Sequence, residues 1–362
     1  MAGRSDPSGR LPNGVPGPDP CELTPCWLTP CWLTQGETMT HTALHRMIGQ
    51  QAAVLDRIAG LDLAGPAATL TAARRVILTG TGTSQHAAEL GTLLLDQAGL
   101  DARWFPAASW ARWGPGPQPG DALIVITHTG ETAYAIRARA AALAAGVPVL
   151  SITGTQVDWP EAIHTVPKEE AETYTVSYTA AVAVLARLAG QAGATDGSPE
   201  ALRRAAAQVG DVLADPGIDG VPVPARSLAI VGPGPWGITA RVGALKLREG
   251  ARMLAEGFDT ELFLHGNAVP LTAADGVLLL QPDADPDGLT AAVGAAAVAE
   301  GVPVRTLAAP ATGLSPLLAQ FPMTVRLQLL AERFAALRGQ DPDTVITGHW
   351  ADPGMWQLGS GN

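Results

Sequence analysis

From about Arg74 the chain alternates short apolar runs with longer stretches in which apolar residues recur at helical spacing. Val76-Ile77-Leu78 reads as a strand, Gly80-Thr81-Gly82-Thr83-Ser84 as its exit loop, and His86 to Ala98 as a helix. Ala122 to Thr127 reads as the next strand, Glu131 to Ala145 as a helix stopped by Gly146, and Val147 to Ile152 as another strand. Short apolar strands joined by helices predict an α/β fold with a parallel sheet covered on both faces. Residues 191–225 contain the helix opening Ser198-Pro199-Glu200 and read as a helical linker. A second α/β stretch begins near Arg226, and a helix over Leu327–Leu337 and an irregular tail follow it.

The two α/β stretches are copies of one pattern. Gly80 and Gly82 correspond to Gly232 and Gly234, 152 residues on, and Gly146-Val147-Pro148-Val149 corresponds to Gly301-Val302-Pro303-Val304, 155 residues on. The copies are unequally equipped. Thr127-His128-Thr129-Gly130-Glu131-Thr132 is rich in hydroxyls, whereas its counterpart Gln281-Pro282-Asp283-Ala284-Asp285 is acidic and holds no Ser or Thr. This asymmetry predicts one ligand site per chain, for an anionic ligand.

Composition narrows the field. Residues 1–38 carry Pro-Gly turns and the repeat PCELT-PCWLT-PCWLT, which cannot build a core and is expected to be a disordered extension. Helical periodicity starts after Met39, the expected natural start. Cys21, Cys26 and Cys31 are the only cysteines, and no histidine or second pair completes a zinc pattern around them, so no metal and no cofactor is expected. The cysteine-free remainder suits a reducing, cytoplasmic setting. A net charge of −11 argues against a nucleic-acid partner. No apolar run reaches the roughly 18 residues of a membrane helix, and no basic region followed by an apolar run opens the sequence, so a secretory signal is not expected.

In parallel α/β sheets, ligands bind where strands exit into helices. Gly82, Thr83 and Ser84 allow close backbone approach after one strand. Thr127, Thr129 and Thr132 place hydroxyls at a helix N-terminus, where unpaired N–H groups and the helix dipole favour an anion. Helix capping by Thr129 or Thr132 is the plainer reading of the same residues. Gly80-x-Gly82 is an incomplete dinucleotide fingerprint with Gln85 at its sixth position, and the Gly-Lys-Ser/Thr of a phosphate-binding ATPase loop is missing.

GTGTSQHAAELG, followed by THTGETAYAIRARAAALAAGVPVLSITG, resembles the sugar isomerase (SIS) domain family. GALKLREGARMLAEGFDTELFLHGN in the second copy is similar to the matching block in the isomerase half of glutamine–fructose-6-phosphate aminotransferases. The resemblance implies two doubly wound, flavodoxin-like SIS domains in tandem, at 39–190 and 226–337, with a tail at 338–362. It implies that Thr83 and Ser84 line a sugar-phosphate pocket and that Thr127, His128, Thr129 and Thr132 hold the phosphate, His128 replacing a usual Gln. It implies that Ser177 approaches the sugar, that Glu249 moves a proton between C1 and C2 beside Lys246, and that His265 opens the sugar ring from the partner subunit of a homodimer. Lys246 and Glu249 share a helix face and would pair there with or without catalysis, and a histidine such as His265 is commonly structural. The chain departs from the synthase pattern in having no lysine after Lys246 and Asn267 where a proline is usual. The expected function is therefore aldose–ketose isomerisation of a phosphorylated sugar or amino sugar, with or without loss of ammonia as in glucosamine-6-phosphate deaminases. A non-catalytic sugar-phosphate sensor is the alternative, and His128 with the altered tail also suits an enzyme turned to an unusual sugar.

Overall fold

The computed structural model describes residues 42–309 and 313–357. The 1–38 segment, its cysteines and Met39 lie outside the described residues. Three short helices, α1 (Ala43–Gly49), α2 (Gln51–Ala59) and α3 (Ala64–Thr71), lead into β1 (Arg75–Gly80), α4 (Thr83–Asp96), β2 (Ala102–Pro106) and β3 (Asp121–Ile126). α5 (Ala133–Ala144), β4 (Val149–Thr153), β5 (Ala162–His164), α6 (Val176–Gln191) and α7 (Pro199–Ala214) follow. The second series runs β6 (Ser227–Gly232), α8 (Pro235–Gly250), β7 (Leu254–Asp259), the single turn α9 (Thr260–Leu262), β8 (Gly276–Gln281), α10 (Leu289–Ala299), β9 (Val304–Ala308) and α11 (Gln320–Leu337). A short α12 (Pro353–Gln357) lies in the tail.

Two parallel sheets result, ordered β2-β1-β3-β4-β5 and β7-β6-β8-β9. The first strand of each series lies between its second and third strands. The same device anchors both. Asp121 accepts from Arg74 and Arg75 at 2.8 and 2.7 Å, and Asp275 accepts from Arg226 and from Ser227 Oγ at 2.6 Å each at its closest.

Alternate residues of each strand enter different cores, as the two-residue period of a strand requires. Val76, Leu78, Ile124 and Ile126 join the core of α1–α4 and α6, whereas Ile77, Leu123 and Val125 meet Ala135, Ala138 and Trp110 on the other face. α6 is buried on nearly its whole circumference, which explains its near-continuous apolar sequence. α8 and α11 each contribute to two cores: Val242 and Val325 pack with the first sheet's helices, Leu247 and Leu327 with the second sheet. This shared packing brings the end of α8 to the first sheet's ligand edge.

Several boundaries differ from the sequence pattern. α4 begins at Thr83, so Thr83 and Ser84 form its first turn rather than a loop. Its early start depends on Gly82, whose φ of +62° redirects the chain. α5 begins at Ala133 rather than Glu131, because Gly130 at φ +71° and the extended Thr132 precede it. α11 starts at Gln320, with Pro322 tolerated inside its first turn. The stretch 191–225 holds α7, capped by Ser198 Oγ accepting from Ala201 N–H at 3.2 Å, and its Leu202 and Val209 are fully buried. The edge strand β2 went unread because its residues are only partly buried and lack a clear alternation.

Candidate active site

A cavity of ≈ 620 Å³ opens at the carboxyl ends of β1, β3 and β4. Its first wall is Thr81, Gly82, Thr83 and Ser84. Gly80 must be glycine here, since a Cβ would lie 2.6–2.7 Å from Ser84 backbone and side-chain atoms. The second wall is the β3 exit. His128, Thr129 and Thr132 line the cavity, and buried Thr127 sits behind them with its hydroxyl 3.4 Å from that of Thr132. Thr129 Oγ1 accepts from Glu131 N–H at 3.2 Å, a local turn bond. Thr132 occupies the N-cap position of α5 yet caps no N–H with its side chain, so its hydroxyl faces other work.

His128 is held from several sides. Its carbonyl accepts from Gly154 N–H and Gln156 Nε2, at 2.9 and 2.7 Å. Its Nε2 accepts from Glu169 N–H at 3.3 Å, and its ring meets Tyr174 edge-on at 5.6 Å. Burial pushes its pKa below the usual histidine value, with the Lys168 charge adding to the fall and Glu169 opposing it. An Nε2 that accepts requires the proton on Nδ1, which is buried and has no hydrogen-bond partner. His128 therefore offers an unused neutral N–H donor in the loop.

The start of α6 is closed by the protein itself. Glu169 accepts from Thr175 N–H, Thr175 Oγ1 and Ser177 N–H, the last at 2.8 Å. This carboxylate satisfies the helix N-terminus and fixes Ser177, which lines the cavity. The next residue on α6, Tyr178, also lines it. Its hydroxyl is buried without a partner, and burial holds its pKa above the ordinary tyrosine value.

The last turn of α8 supplies the charged pair. Lys246 is 1% exposed and donates to Glu249 Oε2 at 2.5 Å, while Glu249 keeps 22% of its side chain accessible. Both line the cavity. A carboxylate beside a buried ammonium and open to a pocket is suited to accepting a proton from a bound carbon acid. His265 stands apart. It lies on the exposed turn after β7, its Nδ1 2.9 Å from Glu261 carbonyl, and it is not among the residues lining this cavity.

The equivalent corners of the second sheet are self-satisfied. Pro235 and buried Trp236 stand where Thr83 and Ser84 do. Asp259 accepts from Gly234 N–H at 3.0 Å at the start of α8, and Asp285 accepts from Thr290 N–H at 3.2 Å at the start of α10. Resident carboxylates thus occupy anion positions that the first sheet leaves unoccupied by protein side chains. Among the described residues no cluster of three or more His, Cys, Asp or Glu is placed to hold a metal, and no helix is long and apolar enough to cross a membrane.

Residues 69–188, which contain the first sheet and most of α6, match the family model described as SIS domain. The chain is also similar to the isomerizing glutamine–fructose-6-phosphate aminotransferase of Caulobacter vibrioides, at 26% identity over 316 residues, 74% of this chain and 50% of that protein. The chain spans about half the length of the curated relatives it matches. Among solved structures, tagatose-6-phosphate ketose/aldose isomerase from Escherichia coli aligns with a TM-score of 0.74 at 19% identity, covering 87% of this chain and 99% of that one. Glucosamine-6-phosphate deaminase from Thermotoga maritima aligns with a TM-score of 0.70 at 16% identity, covering 85% and 99%. These likenesses show the fold, an α/β fold with parallel sheets.

Sequence reasoning missed part of the wall. Glu172, Tyr174 and the tail residues Val345, Ile346, Ala351 and Trp356 all line the cavity. Two tryptophans in the tail of an otherwise aromatic-poor chain were the available signal.

Proposed function

We propose that the protein is a sugar-phosphate aldose–ketose isomerase acting on a phosphorylated sugar or amino sugar, with ammonia released where the C2 substituent is an amine. The observation that carries the proposal is the asymmetry of helix starts. In the first sheet α4 and α5 open on the cavity amid hydroxyls, whereas Asp259 and Asp285 fill the matching positions in the second. A phosphate dianion is the ligand such starts favour. The similarity to aminotransferases, an isomerase and a deaminase of phosphosugars supports the same class.

In this reading Thr83, Ser84, His128, Thr129 and Thr132 hold the phosphate, with Thr127 behind them, and Ser177 contacts the sugar. Glu249 takes the C2 proton from the open-chain aldehyde; the C2–H electron pair forms the C1=C2 bond and the carbonyl pair moves onto O1, giving an enediolate or enaminolate. Protonated Glu249 returns the proton to C1 and O1 takes up the proton that the C2 hydroxyl or amine gives up, leaving a carbonyl or imine at C2, and water releases ammonia from the imine. Lys246 donates to Glu249 and positions its carboxylate. His265 serves ring opening in the site of a partner subunit, so the working unit is a cytoplasmic homodimer. The two sheets are the cores of tandem SIS domains, 39–190 and 226–337. The test is a coupled assay with glucosamine 6-phosphate that follows both ammonia and fructose 6-phosphate. Turnover that vanishes in Glu249→Gln is expected. Full activity in that variant overturns the role of Glu249, and tight phosphosugar binding without turnover on any hexose phosphate identifies a sensor instead.

A further inference from the structure

We infer that the sugar phosphate bound here carries an apolar substituent, seated against a wall built by the C-terminal tail; the inference rests on the sugar-phosphate reading above. Size is the first support. The cavity measures ≈ 620 Å³. A hexosamine phosphate has about sixteen non-hydrogen atoms, and even at the ~30 Å³ that each water occupies in the liquid it needs under ~500 Å³.

Chemistry is the second support. The hydroxyls and charges of the cavity come from α4, the exits of β1, β3 and β4, the 165–174 stretch with Glu172, and from α6 and α8, whereas the tail itself contributes Val345, Ile346, Ala351 and Trp356. None of these offers an uncommitted polar side-chain atom, because the indole N–H of Trp356 donates to the Trp350 carbonyl at 2.7 Å. A sugar hydroxyl pressed on these tail side chains would find no partner on them, whereas a hydrocarbon group would gain by leaving water. In the single chain Trp356 is 58% and Ile346 38% exposed, so the rest of this chain leaves their apolar area uncovered.

Placement is the third. The tail is tied down up to the wall. Thr173 Oγ1 donates to Pro342 carbonyl at 2.7 Å, and Asp343 accepts from Ala43 and Leu44 N–H at the start of α1, at 2.8 and 2.7 Å. Glu172 then accepts from the N–H groups of Val345 and Ile346 at 2.6 and 3.0 Å. The wall is anchored to the rest of the chain as far as Ile346, and Trp356 is held to Trp350 within the tail.

The test is calorimetric titration of the full chain and of Trp356→Ala with glucosamine 6-phosphate and its N-acyl and O-alkyl series of increasing length. At least one series should tighten with length in the wild type, by up to about fourfold per buried methylene. That gradient should flatten in Trp356→Ala, an exposed position whose truncation leaves the core intact. Gradients flat in both series, or one unchanged in Trp356→Ala, overturn the inference. Thr132→Ala separates the two levels. Flat series that still need Thr132 remove only the substituent. Failure of every compound to bind, or binding indifferent to Thr132, removes the sugar-phosphate reading and the inference with it.

Discussion

The Lys246–Glu249 pair predicts an unequal response to losing either partner. Lys246 is 1% exposed and Glu249 is 22% exposed, at a separation of 2.5 Å. Glu249→Ala leaves an ammonium in a place that water barely reaches, with no acceptor. Breaking a buried pair in this way costs about 3–5 kcal/mol. Lys246→Met leaves a carboxylate that water still reaches and fills the vacated space with a flexible apolar side chain, so its cost should stay near ~1 kcal/mol. The double variant Lys246→Met/Glu249→Ala strands no charge and should recover about 1–2 kcal/mol relative to Glu249→Ala, a coupling typical of contacting residues. Urea unfolding followed by tryptophan fluorescence reads all four proteins, provided their slopes agree. The reasoning fails if Lys246→Met is as destabilised as Glu249→Ala, or if the double variant costs the sum of the two. Loss of turnover alone cannot make this distinction, because both single variants are expected to lose it.

Three further outcomes are expected. Thr132 makes no capping bond, so Thr132→Ala should leave stability within about 0.5 kcal/mol while phosphosugar affinity measured by calorimetry drops about tenfold or more; a loss of stability without a loss of affinity would return Thr132 to a structural role. His128 has a lowered pKa because it is buried neutral, so the folded state binds fewer protons than the unfolded one once pH falls below the ordinary value of about 6.5. Its stability contribution is thus complete above that pH and declines below it until the lowered value is passed. The stability gap between wild type and His128→Gln should narrow across that window, and denaturation curves that fall in parallel would refute the assignment. Glu172→Ala removes the acceptor for Val345 and Ile346 N–H, and limited proteolysis should then cut the tail faster with little change in the global unfolding midpoint; unchanged cleavage would show that Glu172 does not hold the tail.

Sequence by itself determined the class of the fold and much of the site. Apolar strands such as Val76-Ile77-Leu78, separated by helical periods, admit little but a covered parallel sheet, because each strand must bury both faces. The contrast between Thr127–Thr132 and Gln281–Asp285 pointed to the copy whose strand exits line the cavity, since hydroxyls at a helix start and carboxylates at a helix start have opposite consequences for an anion. Other features needed the tertiary structure. Nothing local to Asp259 or Gly234 reveals that one accepts from the other's N–H across 25 residues. Nor does Glu172 announce that it accepts from Val345 and Ile346, more than 170 residues away. Helix starts at Thr83 and Gln320 escaped the pattern because a left-handed glycine and a first-turn proline, not apolar spacing, set them. The burial around His128 and Lys246 is a property of packing: the His128 ring, for example, is met by Glu169 and Tyr174 from a distant stretch of the chain. Periodicity reports which face of an element is apolar. Which elements meet, and how far water is excluded where they meet, is fixed only when the chain packs.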